Sequence, residues 1–187
     1  MTAQYKNLSM TFYKLKRLLA HLWFDVSDAQ RAIPPDLLQR LAARVAASEQ
    51  RHSGQIRICV EAALPMSYLW RLGPKHTMDQ LVRQRALMLF GKLRVWDTAH
   101  NNGVLVYVQL AEHGIEIVAD RGLMYHMDAA QWQAMVARMT NAFQQKRYED
   151  GLMQALEESS ALLMTHFART GASPGQLNEL PDTPMLQ

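Results

Sequence analysis

The segment 93–122, LRVWDTAHNNGVLVYVQLAEHGIEIVADRG, does most to restrict the folds open to this chain. Residues 104–110 are almost continuously apolar, the pattern of a strand buried on both faces. Asn101-Asn102-Gly103 breaks the helical spacing before it. Glu112-His113-Gly114 then supplies a tight turn into a second strand over residues 115–119. A strand buried on both faces needs a layer on each side, and the order of the flanking elements decides what those layers are.

The flanking sequence supplies helices for those layers. Five helical patterns are predicted around three strands. The first covers residues 10–25, with Phe12, Leu15, Leu19 and Leu22 on one stripe and Lys14 and Arg17 off it. A linker ending in Ala32-Ile33-Pro34-Pro35 follows, and a proline fits the opening turn of the next helix, which carries Leu37, Leu38, Leu41 and Val45. Residues 55–63 read as a strand, with Ile56, Ile58 and Val60 on one side and Arg57, Cys59 and Glu61 on the other. Residues 65–75 read as an irregular connection with Tyr68 and Trp70 exposed, and a third helix over residues 77–93 follows. Two more helices come after the hairpin, the first with Asp128 as its N-cap and Trp132, Met135, Val136, Met139 and Phe143 inside, the second over residues 148–167.

The strand–helix–strand unit implies a parallel pair with a right-handed crossover, and the third strand folds back antiparallel. The expected fold is thus a three-layer α/β/α sandwich on a small mixed sheet, in the order strand–helix–strand–strand–helix–helix. Helices are added at the N-terminus. Residues 1–33 are expected to form a basic amphipathic helix and linker, residues 34–169 the domain, and residues 170–187, with three prolines and no apolar period, a disordered tail.

With 187 residues, 49% of them apolar, the chain builds a core without staples, and its single cysteine, Cys59, permits no internal disulfide. A net charge of +3 with scattered lysines and arginines gives no basic stripe for nucleic acid. No run of about 20 apolar residues is present to span a bilayer, and residues 1–9 lack the apolar centre of a secretory signal. A cytoplasmic chain is expected, with peripheral attachment to a membrane left open.

Several short motifs, in order, resemble the TPM-domain family, which includes thylakoid-lumen phosphatase-like and bacterial YgcG-like proteins. They are Ser53-Gly54-Gln55-Ile56, Asn101-Asn102-Gly103-Val104-Leu105, Asp120-Arg121-Gly122 and Tyr148-Glu149-Asp150-Gly151, and the similarity covers residues 34–167. The chain departs from the family pattern at Trp96-Asp97-Thr98-Ala99-His100, where Trp-Gly-x-Gly is usual, and at Ala119-Asp120-Arg121-Gly122, where Gly-Tyr-Gly is usual. The resemblance implies an α/β sandwich and admits a metal-dependent phosphatase activity.

Antiparallel pairing brings Asn101 and Asn102 to Asp120, Arg121 and Gly122, with Asp97 upstream and Ser53-Gly54 on the same edge. Asp97, Asn101, Asn102 and Asp120 are therefore candidate ligands for a hard cation, calcium or magnesium. The bland alternative has the asparagines forming the turn into the strand while Gly103 relieves backbone strain, with Asp97 capping or pairing locally and Arg121 binding Asp120 or a neighbouring carbonyl. Phosphoryl transfer would draw on Asp97 or Asp120 as nucleophile and Arg121 as phosphate holder, but no glycine-rich phosphate loop accompanies them. Arg57 and Glu61 are expected to pair with each other, or with Glu116.

The first helix suggests a different class of function. Lys6, Lys14, Lys16 and Arg17 beside the apolar residues from Phe12 to Trp23 suit an anionic membrane, whereas packing on the domain or on a second subunit is the preferred reading. The first function expected is an interaction module for a membrane-associated assembly, with a protein partner that the residues do not identify. A metal-dependent phosphatase on the Asn101–Asp120 rim is the alternative.

Overall fold

The computed structural model describes residues 2–169 and 178–187. Among them are the helices α1 (Thr2–Leu22), α2 (Val26–Ala32), α3 (Pro35–Glu49), α4 (Met66–Leu69), α5 (Met78–Lys92), α6 (Arg121–Met124), α7 (Ala129–Gln144) and α8 (Tyr148–Phe167). The strands are β1 (Gln55–Glu61), β2 (Gly103–Gln109), β3 (Gly114–Ala119) and β4 (Met185–Leu186). Their spatial order is β3-β2-β1-β4. β1 and β2 run parallel with Ile56 opposite Val104, and β2 and β3 run antiparallel with Val104 opposite Ala119. The three-layer α/β/α sandwich expected from the sequence is the fold observed.

Alternation along β1 and β2 sorts the core into two layers. Ile56, Ile58, Val60, Val104, Val106 and Val108 face α2, α3, α7 and α8, while Cys59, Leu105 and Tyr107 face α4 and α5. Every residue of β1 and β2 is buried, so the polar side of β1 is interior as well. The thiol of Cys59 lies in this second layer, and burial pushes its pKa up to about 12.

Two segments depart from the sequence reading. Residues 26–32, read as linker, form α2. Asp25 accepts from the Ser27 N–H at 2.7 Å, and Asp28 accepts from the Asp25 N–H at 2.8 Å, a capping box that starts the helix and sets Ala29 and Ile33 into the core. The second is the tail. Its first part, residues 170–177, lies outside the described residues, but residues 178–187 are bound to the sheet. Arg57 donates to the carbonyls of Pro181 (2.7 Å) and Thr183 (2.5 Å), Leu180 is buried, and β4 adds in parallel to Cys59 and Val60. Backbone pairing holds this segment, and such pairing imposes no apolar period on the side chains.

Arg57 is thereby engaged by carbonyls, which corrects the expected pairing with Glu61. Glu61 binds the guanidinium of Arg85 on α5 instead, and Arg83 takes Glu116. The connection over residues 65–75 also contains the single turn of α4, with Trp70 exposed and Tyr68 half-buried under Arg71 and Arg85.

Candidate functional site

Two features of this fold are candidates for function: the rim at the start of β2, where buried acceptors lack protein donors, and the exposed outer face of α1.

At the rim, Asn101 ends a turn with its N–H bonded to the Thr98 carbonyl (3.2 Å) and its φ at 52°, the left-handed region that asparagine tolerates. The next residue, Asn102, is fully buried. Its N–H donates to the Thr98 hydroxyl (3.1 Å), and its side-chain amide donates to the Ser53 hydroxyl (3.1 Å). Gly103 serves close approach rather than a left-handed turn, because a Cβ there would sit 1.9 Å from the Val95 carbonyl oxygen. Across the hairpin, Asp120 bonds the Gly103 carbonyl through its N–H (2.9 Å) and caps α6, with Oδ1 accepting from the Arg121 N–H at 2.6 Å. Gly122 donates to the Asn101 carbonyl at 2.9 Å, and a Cβ at Gly122 would reach that oxygen at 2.5 Å.

The structure therefore brings Ser53, Asn101, Asn102, Asp120 and Gly122 to one edge. It leaves Asp97 exposed and held by Arg94 three residues before it. Among the described residues no three histidine, cysteine, aspartate or glutamate side chains gather around one point. Two acceptors at the rim nevertheless lack protein donors: Asn102 Oδ1 and Asp120 Oδ2 are both buried. A buried unmet acceptor costs about 1–3 kcal/mol, so the pair marks the rim as a place for a donor or a cation. The sequence reading missed Thr98 and Glu179, whose carboxylate takes the Ala99 N–H at 2.8 Å. Glu179 belongs to the segment read as tail.

Behind the rim lie Glu49 and His52. Glu49 accepts from the Ile56 N–H at 2.8 Å, and burial pushes its pKa up to about 7. His52 donates from Nδ1 to the Gly54 carbonyl (3.1 Å), its Nε2 meets the Ser160 hydroxyl (3.3 Å), and burial holds its pKa down to about 4. The two act on stability with opposite signs. Glu49 favours the fold in acid, and this contribution is lost as pH rises from 4.5 to about 7. His52 favours the fold above 6.5, and its contribution is lost as pH falls toward about 4. Glu49→Gln removes the first alone. Its stability is expected to climb by roughly 1 kcal/mol per pH unit, relative to the parent, between those limits. Urea midpoints measured against pH check this, and parallel profiles for the two proteins would refute it.

The other feature is α1. Among its described residues, α1 meets the domain through polar groups and Leu18. Lys14 donates to the Trp70 carbonyl (2.8 Å), Arg17 pairs with Glu112 (2.7 Å), and His21 is buried. His21 Nδ1 accepts from the Leu64 N–H (3.0 Å), so the ring proton sits on Nε2, which faces Glu112 at 2.9 Å. Leu18 packs beside them on the second core layer. The apolar stripe faces the other way: Phe12 is 67% exposed, Leu15 50%, Leu19 49%, Leu22 64% and Trp23 84%. The helix thus packs on its own domain, one of the two packings expected for it, and does so through its polar face and Leu18. The polar face docks, because His21, Arg17 and Glu112 satisfy one another there.

A mixed sheet with this crossover, hairpin and helix order defines the class as an α/β sandwich of the TPM type. The family model for the TPM domain matches residues 26–162, and the chain belongs to that family. Among solved structures it is similar to the NMR structure of the BA42 protein from the psychrophilic bacterium Bizionia argentinensis. That match has a TM-score of 0.63 and 22% identity, covers 79% of this chain and 90% of that one, and shows the fold. No curated protein matches the chain. No helix among the described residues is long and apolar enough to cross a membrane.

Proposed function

We propose that this TPM domain is an interaction module for a membrane-associated assembly, docking through the outer face of α1. The observation that carries this reading is the orientation of α1: its polar face is fastened to the domain, and its apolar stripe is turned to solvent. Burying one leucine is worth about 1.5–3 kcal/mol, and contiguous apolar patches rimmed by polar residues mark interaction sites. Replacing Leu15 and Leu19 together by glutamate is expected to leave the domain folded while abolishing its contacts. A double variant that unfolds would place the stripe in the core and sink the reading.

The rim supports a second reading. Asn102 Oδ1 and Asp120 Oδ2 suit a hard cation better than a tight calcium cage, which takes six to eight oxygens and several carboxylates. Magnesium needs only one or two carboxylates, and Asp120 supplies one, so magnesium is the candidate ion for this donor set. Such an ion would supply the charge that a phosphatase requires, with Asp120 and Asn102 holding it. Calorimetric titration with calcium and magnesium tests this. Heat that disappears in Asp120→Asn supports an ion at the rim, and no heat at millimolar metal ends the phosphatase alternative.

A further inference from the structure

We infer that the outer edge of β1 is a peptide-receiving site for an extended segment in the order carboxylate, leucine, proline, and that residues 178–187 are its resident, exchangeable ligand. This segment lies outside residues 26–162, the part of the chain that the TPM family model matches. A partner that takes its place carries the same order in an extended stretch.

The receiving groups stand on β1 and read the main chain of the occupant. Gln55 Oε1 accepts from the N–H groups of Glu179 (2.9 Å) and Leu180 (3.1 Å), and the Arg57 guanidinium donates to the carbonyls of Pro181 and Thr183. Further along, the Gln187 N–H donates to the Val60 carbonyl (3.0 Å), and the Ala62 N–H donates to the Gln187 carbonyl (2.8 Å). Adding a strand to a sheet edge through main-chain bonds, with side chains supplying specificity, is a general mode of peptide capture. Two side chains supply it here. Leu180 is buried in the core layer that holds Val95 and Leu105, and the Glu179 carboxylate takes the Ala99 N–H. Proline suits the next position, where only the carbonyl is read, and its fixed φ lowers the ordering cost of an extended ligand.

Light anchorage makes the segment exchangeable. Of its side chains only those of Leu180 and Pro184 belong to buried residues, and the ladder on β1 is two residues long. Every residue of β1 and β2, by contrast, is buried. Elements with few buried contacts open at a lower free energy than the whole domain. The polar receiving groups suit an edge that empties, because Gln55 and Arg57 take water when the segment leaves.

Hydrogen exchange of the full chain is the first test. The amides of Glu179, Leu180, Gln187 and Ala62 are expected to exchange together, about tenfold or more faster than those bonded between β1 and β2. Exchange of both sets only through global unfolding would make residues 178–187 a permanent strand and overturn the inference. The second test is capture in trans, with a fluorescent peptide of residues 178–187, blocked at both ends, and the full chain carrying Leu180→Asp. A tethered segment competes at an effective concentration of about millimolar, so removing its anchor frees the edge. The peptide is expected to bind this variant about tenfold or more tighter than the parent chain, and the same peptide with Leu180→Asp is expected not to bind. No binding to the variant, or equal binding of the two peptides, overturns the inference. If the variant does not fold alone, the peptide is expected to restore its folding, and failure to do so overturns the inference as well.

Discussion

Replacing Arg85 by methionine is expected to destabilise the protein by about 3–5 kcal/mol, because it strands a buried carboxylate. Glu61 closes β1 on the α5 side of the sheet with 4% of its surface exposed. Both of its oxygens receive the guanidinium of Arg85, at 3.1 and 3.0 Å from Nε, and Tyr107 donates its hydroxyl to Oε2 at 2.6 Å. The arginine in turn stacks on Tyr68, 5.6 Å from the ring centre. Methionine keeps the bulk of the arginine stem and removes the charge, so Glu61 keeps only the phenol. Arg85→Met with Glu61→Leu is expected to regain most of the loss, since an apolar pair in place of a buried ion pair is often neutral. Urea unfolding of the single and double variants measures both effects. A single variant no weaker than an ordinary surface substitution would show that water reaches Glu61.

Gly103→Ala is the second large effect, at about 3 kcal/mol or more. The added Cβ would fall 1.9 Å from the Val95 carbonyl oxygen, and a backbone atom has no rotamer with which to move aside. Relief must come from displacing the turn that carries Thr98, Asn101 and Asn102, so the rim is disturbed along with the fold. Gly114→Ala serves as the control, because nothing lies within 4 Å of its Cβ position. For a chain of this length the expected fall in melting temperature is about 10 °C for Gly103→Ala. The control is expected to stay close to the parent. Equal melting of the two variants would contradict the packing described here.

The hairpin and the crossover were legible because they rest on local signals: Asn-Asn-Gly and His-Gly at the turns, and an unbroken apolar run between them. The placing of Asn102 and Asp120 at one edge followed from strand register alone, which needs no knowledge of side-chain partners. Partners distant in sequence were not legible. Arg57 reaches the carbonyls of Pro181 and Thr183, and Glu61 reaches Arg85, neither of which periodicity signals. Asp97 looked like a ligand by spacing, yet Arg94, three residues before it in the turn after α5, takes the carboxylate locally. For α1 the sequence defined an apolar stripe but not the side on which the helix would dock. That choice was made by Glu112, 91 residues from His21, whose carboxylate draws the polar face inward.

The outward stripe is the point on which the functional account stands, and the most direct measurement is the thermal melting of Leu15→Glu with Leu19→Glu in the full chain. If the stripe meets only solvent, the melting temperature stays within about 2 °C of the parent, as for surface substitutions. A fall of about 10 °C or more, or failure to fold, would mean that these leucines are buried in the domain itself, and it would contradict the account.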